Sequence, residues 1–379
     1  MIFTILIFIV ILGVLVFVHE FGHFIVARKS GMKVEEFGFG FPPRIFGIQK
    51  INGKRRTIWG HPKQSLISSE TSPDQDTLYS INLIPLGGFV KILGENNEHE
   101  EDPRSFINRS FGARFATLVA GVSMNVILAW VLISVGFIIG LPAVFGSGIN
   151  VPAGATLKNP QIIIMEVVKD LPADKAGVKA QDILLSINGI KFNNLQSMQD
   201  YIKSHKGNQF AFEIKRGKEI VNVKVNSLAN PAPDQGPTGI ALENVGELQF
   251  PWYLAFFEGA KATVNQLGSI FSGLYGLITA KIGLSNLSGP VKIAQLTGEV
   301  AGMGFIYILQ FAAFLSLNLA VLNIMPFPAL DGGRVVFLLI EKIRGRRNNQ
   351  KIEQFVNTAG FVLLLLLMLA VTIKDVKGF

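Results

Sequence analysis

Two histidines and a glutamate lie near the end of an N-terminal apolar segment, in the stretch LVFVHEFGHFIVARK at residues 15–29. Residues four apart share one face of a helix, so His19 and His23 can direct imidazole nitrogens at one point about 2 Å from each. A zinc ion fits that point, and Glu20 would reach a metal-bound water, accept its proton and donate it to a leaving amine. The spacing predicts the chemistry of HExxH zinc hydrolases. The alternative is a polar cluster that pairs with another helix.

A third zinc ligand is needed, because a catalytic zinc normally has three protein ligands and one position for water. The chain contains no cysteine, so the ligands must be His, Asp or Glu. The segment NLAVLNIMPFPALDGGRVV, residues 318–336, offers Asp331 after a long apolar run. Pro326 and Pro328 remove backbone hydrogen bonds from a helix, so the chain should unwind there. Asp331 is the predicted third ligand, and the alternative role is an N-cap on the following helix.

Four segments are long and apolar enough to cross a bilayer as helices, which takes about 20 residues. The predicted spans are roughly residues 1–27, 113–141, 304–328 and 355–373. Of the 379 residues 49% are hydrophobic and 16% are charged, and the mean hydropathy is +0.41, so a purely soluble protein is not expected.

The basic residues indicate membrane topology rather than nucleic-acid binding, because they cluster beside apolar segments in a chain of net charge +8. Arg28 and Lys29 follow the first span, which predicts that residues 28–112 are cytoplasmic. The amphipathic segment 335–354 is equally basic and is predicted on the same side. No basic residue precedes the first span and no small-residue cleavage site is visible, so we expect it to be retained rather than removed as a signal peptide.

Residues 160–228 have a different pattern, with short β-rich runs, turn signals and one helical stretch. They predict one small α/β module outside the cytoplasm. The segment DLPADKAGVKAQDILLSINGIKF at 170–192 resembles the start of a bacterial PDZ domain, with Gln181 where that family usually has glycine. The resemblance implies binding of an extended peptide as an added strand. The alternative is a spacer domain.

Residues 229–303 are predicted to be a linker followed by interfacial amphipathic helices. The linker, NPAPDQGPTG, is rich in proline and glycine. Lys261 and Lys281 interrupt the apolar pattern that follows, which favours helices lying at the membrane surface over a fifth span.

The motifs together resemble the site-2 protease family of intramembrane zinc metalloproteases, peptidase family M50, in its PDZ-containing bacterial branch. They are HEFGH on the first span, NIMPFPALDGG on the third, and the PDZ-like insertion between the second and third. Four further segments occur in the order that the family shows: FGFGFPPRIF, INLIPLGGFVKILGE, AGVSMNVILA and LSGPVKIAQ. The resemblance covers nearly the whole chain.

The resemblance implies roles for individual residues. It assigns His19, His23 and Asp331 as ligands of one Zn²⁺ per chain and Glu20 as the general acid/base. Residues 79–95 resemble a membrane-dipping β-loop beside the active site; the alternative is a cytoplasmic hairpin that does not contact the substrate. Val122 stands where the family often has proline. The residues implied in substrate binding or positioning are Asn323, Pro326, Pro328, Asn125 of the GxxxN motif, Gly87 and Gly88.

The predicted fold is a polytopic α-helical membrane protein with about four transmembrane helices, an inserted α/β PDZ-like domain and a membrane-associated β-loop. The resemblance implies a bacterial inner-membrane protease that cleaves single-span membrane proteins, such as membrane-tethered anti-sigma factors or remnant signal peptides. The metal site would face the cytoplasmic side, and an extracytoplasmic PDZ-like domain would control substrate access. The partners are these substrates, the bilayer and a peptide or C-terminus at the PDZ-like domain, with no nucleic acid.

Two other classes are weighed against this interpretation. A catalytically silent scaffold that presents the PDZ-like domain predicts loss of a catalytic element, yet His19, Glu20, His23 and Asp331 are all present. An ion transporter predicts inverted repeats or paired broken helices, and only one span is broken by proline.

Overall fold

The computed structural model describes residues 2–51, 53–60, 76–95, 101–145, 151–192, 194–217, 219–232, 236–281 and 288–377. The chain forms two compact units. Unit 1 contains residues 1–133 and 258–379, and unit 2 contains residues 134–257.

Helices form in both units. Within the described ranges, the chain forms α1 (Ile2–Lys29), α2 (Phe111–Ile139), α3 (Pro172–Lys175), α4 (Leu195–Ser204), α5 (Trp252–Ile278), α6 (Pro290–Met303), α7 (Phe305–Ile324), α8 (Asp331–Arg344) and α9 (Gln350–Lys377). Helices α3 and α4 belong to unit 2. Helices α1, α2, α7 and α9 are long and apolar enough to cross a membrane. They coincide with the four predicted spans, and α2 continues unbroken through Val122.

The chain leaves the helical conformation between α7 and α8, at the two prolines. Met325, which precedes Pro326, has φ −58° and ψ 140°, the extended conformation that residues before proline prefer. Helix α9 supports this segment, because the backbone N–H of Ala329 donates to Asn357 Oδ1 at 3.2 Å. At Gly360 of α9, an added Cβ would lie 2.5 Å from Pro328 Cβ, so only glycine permits this close approach.

Strands form in both units. They are β1 (Val34–Ile51), β2 (Lys54–Trp59), β3 (Leu78–Ile92), β4 (Leu141–Val144), β5 (Thr156–Val167), β6 (Ile183–Ile187), β7 (Gln209–Arg216), β8 (Glu219–Asn226) and β9 (Ile240–Gln249). In unit 1 the order is β2-β1-β3, with β3 at an edge. Phe37 of β1 lies opposite both Tyr79 and Val90, so β1 pairs with two segments of β3. Gly87, with φ +114°, lies between those segments.

The sheet of unit 1 packs against α1 just before the histidines, through Phe37 and Phe39 of β1 and Gly87 of β3. The Phe17 ring of α1 contacts the rings of Phe37 and Phe39, with centroids 5.4 and 5.7 Å apart. At Gly87, an added Cβ would lie 2.6 Å from Val16 Cβ. The sheet therefore lies beside the turn of α1 that precedes His19.

Unit 2 contains a six-stranded sheet in the order β4-β9-β5-β6-β7-β8. Its core contains Ile164, Ile187, Met198, Phe210 and Phe212, each at most 1% exposed. These side chains come from alternate positions of the strands and from the apolar face of α4, which is the pattern of an α/β module with one buried sheet face.

The PDZ-like domain is larger than the predicted range 160–228. Strand β9, Ile240–Gln249, lies between β4 and β5, which corrects the prediction of linker and amphipathic helices for these residues. Alternate β9 residues are buried, but two of the buried positions, Asn244 and Gly246, are not apolar side chains. The pairing partners are distant in sequence, so no local signal marks this strand. Residues 233–235 of the Pro-rich linker lie outside the described ranges.

The PDZ-like motif forms a charged turn. Gln181 has φ +72°, a left-handed conformation that favours the glycine usual in that family. The next residue, Asp182, is 1% exposed and accepts hydrogen bonds from Arg216 Nε and Nη2 at 2.8 and 2.6 Å. The hydrogen bond to Asp182 raises the pKa of the Arg216 guanidinium above its ordinary value. The turn is thereby fixed to the end of β7.

Candidate metal centre

Helix α1 brings His19 and His23 onto one face, as their spacing predicts. Both are buried, at 5% and 7% exposure, and their Nε2 atoms lie 3.2 Å apart. Asp331, the first residue of α8, directs Oδ2 to within 3.0 Å of His19 Nε2 and 3.4 Å of His23 Nε2. In the described part of the chain, this is the group of three His, Asp or Glu side chains close enough to share one metal ion.

The three ligand atoms fit a zinc ion. In a tetrahedral site with bonds of about 2.0 to 2.1 Å, neighbouring ligand atoms lie about 3.3 to 3.4 Å apart. The three separations of 3.0, 3.2 and 3.4 Å come within a few tenths of an ångström of that value. Asp331 Oδ2 is also buried without a hydrogen-bond donor among the described residues. Two imidazoles and a carboxylate form the donor set of a catalytic zinc site with one open position.

The ring of His23 is held with its Nε2 free to bind a metal. Its Nδ1–H donates to the backbone carbonyl oxygen of Thr117 on α2 at 2.7 Å. This bond places the proton on Nδ1 and leaves the lone pair on Nε2, which is the usual arrangement for a metal-binding histidine.

Asn125 of α2 performs the corresponding role for His19. The side chain of Asn125 is completely buried, and its Nδ2 lies 3.2 Å from His19 Nδ1. Its Oδ1 has no donor among the described residues. A half-turn of the amide brings Oδ1 to the ring, where it accepts the Nδ1–H and leaves Nε2 free for the metal. In that orientation Asn125 would hold the ring of His19 with Nε2 directed at the metal position.

Two glycines allow α1 and α2 to approach each other. An added Cβ at Gly121 would overlap His23 Nε2 and would lie 2.7 Å from His19 Nε2. At Gly22, an added Cβ would lie 2.5 Å from the carbonyl oxygen of Ala120. The backbone of α2 therefore forms one wall of the metal centre, and that wall has no room for a side chain at Gly121.

Helix α8 presents Asp331 through its first turn. No side-chain capping bond forms at the start of α8, where Leu330 is the N-cap residue, so the alternative role of Asp331 as an N-cap is not observed. Gly332 and Gly333 lie so close to the unwound segment that an added Cβ would overlap the carbonyl oxygens of Ile324 and Phe327, respectively.

Two ion pairs fix α8 to the rest of unit 1. Arg334 pairs with Glu95, which follows β3. Arg114, in the first turns of α2, pairs with Glu341 of α8 through two hydrogen bonds of 2.7 and 3.0 Å. Both pairs are partly buried, and they determine where the first turn of α8 places its carboxylate.

Glu20 faces a pocket rather than binding the metal position directly. Its Oε2 accepts a hydrogen bond from the backbone N–H of Val90 in β3 at 3.1 Å. The pocket has a volume of about 210 Å³ and is lined by Val16, His19, Glu20, Leu319, Asn323, Ala329, Leu330 and Asp331. Glu20, His19 and Asp331 therefore open into one shared space, whereas His23 does not line it.

The family model for peptidase family M50 matches residues 7–59 and 64–367. This match covers most of the chain and includes every residue of the metal centre. The chain belongs to peptidase family M50. It is a zinc metalloprotease of the site-2 type, and Zn²⁺ is its cofactor.

Relatives along the whole length support membership of the M50 family. A zinc metalloprotease homologue from Clostridium acetobutylicum is 33% identical, and the alignment covers 99% of this chain and 97% of the relative. The regulator of sigma-W protease RasP from Bacillus subtilis is 29% identical, with 99% of this chain and 98% of RasP covered.

Among solved structures, the PDZ domain of an SdrC-like protein from Listeria innocua is 26% identical over 22% of this chain and 92% of that domain, with a TM-score of 0.20.

The other predicted site residues of this M50 protease have different surroundings. Asn323 lines the pocket, and its Nδ2 lies 3.4 Å from His19 Nε2. Asn125 contacts His19, Gly87 contacts α1 and Pro328 contacts α9, as described above. The predicted substrate-binding residues that do not line the pocket are Asn125, Gly87, Gly88, Pro326 and Pro328.

Several positioning groups have no signal in the sequence. The Thr117 carbonyl and the Val90 N–H are backbone groups, so their residue types do not reveal them. Gly121 is an exception, because it is the first residue of the GxxxN motif that also contains Asn125.

Proposed function

We propose that this M50 protease hydrolyses peptide bonds within or near the transmembrane segments of single-span membrane proteins. In this proposal His19, His23 and Asp331 hold the zinc and Glu20 is the general acid/base. The observation that carries it is the convergence of Asp331 of α8 with two histidines of α1, which is one of the four candidate membrane helices. A buried metal centre on such a helix suits a substrate that is itself in the membrane.

The side chains divide the chemistry between them. Zinc, when bound, polarises a water molecule and the scissile carbonyl group. Glu20 accepts the proton of that water and donates it to the leaving amine. The Val90 N–H stabilises the charged carboxylate of Glu20 and fixes its direction toward the pocket.

The substrate must unwind before cleavage, because the peptide bonds of a transmembrane helix are hydrogen-bonded internally. The second segment of β3, residues 88–92, lies at the edge of its sheet and next to the pocket, whereas residues 79–81 pair with β1 on both sides. An edge strand offers backbone N–H and C=O groups that can pair with an added strand. We assign β3 as the template for the unwound substrate and Asn323 as a donor to it.

Replacing Asn323 by Ala should lower kcat/KM about tenfold to a hundredfold, because leaving the partner of a lost hydrogen-bond donor unsatisfied costs about 1 to 3 kcal/mol. Bound zinc should stay at one per chain, because Asn323 is not a ligand in the proposal. Asn318→Ala is the matched control, since Asn318 is on the same helix and its amide donates to the Phe314 carbonyl one turn earlier. Loss of zinc in Asn323→Ala would make Asn323 a structural residue of the metal centre.

Exposed apolar side chains on the sheet of unit 1 support the proposal of a membrane-associated β-loop. Trp59 and Leu83 are 72% and 60% exposed, and Phe41, Ile45 and Ile84 are each more than 40% exposed. Such a collection of exposed apolar side chains marks an interaction surface in a soluble protein and suits contact with lipid. We assign the protein to the bacterial inner membrane, with the metal centre toward the cytoplasm and the PDZ-like domain outside, from the distribution of basic residues.

The relatives suggest a substrate class. The Bacillus subtilis relative is named as a regulator of sigma-W. By analogy, we propose membrane-tethered regulators of transcription, such as anti-sigma factors, as substrates of this chain, with remnant signal peptides as a second class.

The PDZ-like domain has a groove that suits a peptide. A cavity of about 160 Å³ lies between α4 and β9, lined by residues that include Ile202, Lys203, Thr238 and Leu242. An apolar cavity beside a strand and a helix is the arrangement by which PDZ domains bind peptide ends. We propose that the domain controls access by size, admitting substrates whose external part has been removed, with peptide tethering as the rival role.

Removing the PDZ-like domain distinguishes these two roles. Val144 of β4 and Val245 of β9 are register partners, so residues 145–244 can be replaced by an Asn-Gly turn that closes a short hairpin. A size filter predicts that this variant cleaves untrimmed substrates at least about tenfold faster than the intact protein and leaves trimmed substrates unaffected. A tether predicts slower cleavage of both substrates, and that result would contradict the filter. Zinc content checks that unit 1 remains folded.

A further inference from the structure

A second cavity in unit 1 lies away from the metal centre, between the start of α2 and the end of α8. Its volume is about 310 Å³. Five cationic side chains and one carboxylate line it: Arg109, Arg114, Lys342, Arg346, Arg347 and Glu341. Five positive charges and one negative charge leave a net charge of +4. This charge favours an anionic ligand.

Most of this positive charge is not neutralised by the protein. Glu341 pairs with Arg114. Arg109, Lys342 and Arg346 have no carboxylate within ion-pair distance among the described residues. Lys342 instead lies over the ring of Phe111, with Nζ 4.1 Å from the centroid. Its position at the cavity is therefore fixed by packing and not by a counter-charge.

The cavity also contains residues with unused hydrogen-bond donors. The Nε atoms of Arg109 and Arg114 are buried and have no acceptor among the described residues. A buried donor without an acceptor is unfavourable, most of all on a charged group. A phosphate group carries several acceptor oxygens and has the geometry that arginine recognises best.

The surroundings of the cavity are those of a membrane surface. Phe111 lines it and is the first residue of α2, one of the candidate membrane helices. Ile343, next to Lys342, is 85% exposed, and Leu339 one turn earlier is 41% exposed. Cationic groups at the end of an apolar span, beside exposed apolar side chains, match a lipid's phosphate and its acyl chains.

We infer that this cavity binds the phosphate headgroup of an anionic phospholipid in the leaflet at which α2 begins. The site is separate from the catalytic pocket, and binding there does not require proteolysis. The bound lipid would join the start of α2 to the end of α8, in parallel with the Arg114–Glu341 pair. Because α8 carries Asp331, occupancy would also stabilise the metal centre.

Native mass spectrometry of the purified full chain in neutral detergent tests this inference. The probes are phosphatidylglycerol, phosphatidylcholine and inorganic phosphate, each titrated separately. We expect phosphatidylglycerol to bind at least about tenfold more tightly than phosphatidylcholine, since each basic residue near a membrane surface contributes about 1 kcal/mol toward anionic lipid. Phosphate alone should bind too weakly to displace the anionic lipid.

Two charge variants locate the binding. Lys342→Gln with Arg346→Gln removes two lining charges and should weaken phosphatidylglycerol binding about tenfold or more. Arg344→Gln with Lys351→Gln removes two charges from the same region that do not line the cavity, and it should bind as the unchanged protein does. The charge-preserving pair Lys342→Arg with Arg346→Lys should retain binding, which separates loss of charge from loss of folding.

Three results would overturn the assignment. If the lining and control variants weakened phosphatidylglycerol binding equally, the lipid would be attracted by the positive charge of the whole region and not by this cavity. Equal affinity for the two lipids would exclude headgroup recognition. Displacement of the lipid by millimolar phosphate would assign the cavity to a free phosphate group instead.

Discussion

Replacing Glu20 by Gln is expected to lower the rate of substrate cleavage by about 10²- to 10⁴-fold, the usual contribution of a general acid/base. Zinc should remain bound at one ion per chain. Gln keeps the length of Glu and can still accept the Val90 N–H through its amide oxygen, so the local structure should be preserved. The amide cannot accept a proton from water at neutral pH, so only the chemistry is lost.

The measurement compares cleavage of a tagged single-span substrate with a short external tail by both proteins in the same membranes. Glu299→Gln is the matched control, because Glu299 is an exposed carboxylate on α6. Equal cleavage by Glu20→Gln and the unchanged protein would show that Glu20 is not the general acid/base. Loss of zinc together with activity would instead assign Glu20 to the structure of the metal centre.

Replacing Gly121 by Ala should abolish activity by a different route, through loss of the metal. The added Cβ would overlap His23 Nε2 and contact His19 at 2.7 Å, so one or both imidazoles must turn away from the shared point. Disturbing the groups that orient zinc ligands typically costs about 10- to 100-fold in metal affinity. Here the ligand atoms themselves are displaced, so we expect a loss of at least about 100-fold.

Gly112→Ala provides the control on the same helix. No atom lies within 4 Å of the position that its Cβ would occupy, and Ala is favoured over Gly inside a helix by about 1 kcal/mol. This variant should keep its zinc and gain slightly in stability. The check is zinc per chain after dialysis against a weak chelator, measured for both variants. If Gly121→Ala retained its zinc, α1 and α2 could move apart without loss of metal affinity, which would contradict the prediction.

These two variants separate catalysis from metal binding. Glu20→Gln should keep zinc and lose proteolysis, whereas Gly121→Ala should lose both. If both variants lost zinc, the acid/base role of Glu20 would remain to be shown by pH dependence. If both kept zinc and activity, the catalytic centre would lie elsewhere in the chain.

The sequence by itself determined the features that depend on local geometry. His19 and His23 share a face because residues four apart always do so on a helix. Pro326 and Pro328 break α7 because proline lacks the N–H that a helix requires. The four apolar helices follow from composition and length alone. None of these features requires knowledge of what packs against the segment.

The sequence was less informative about the PDZ-like domain. The pattern of residues 160–228 predicted an α/β module, but the module's limits were set by β9, which pairs with β4 and β5 from more than seventy residues away. Strand pairing between distant segments is decided by the whole sheet, so polar residues such as Asn244 can be buried in it.

Only the tertiary structure decided how the metal centre is completed. Asp331 meets the histidines because two ion pairs and two glycines fix the first turn of α8. The Thr117 carbonyl orients His23, and the Val90 N–H holds Glu20. Every residue has these backbone groups, so residue types cannot identify the two that act here. Their roles arise from where α2 and β3 pack against α1, which depends on contacts between elements far apart in the chain.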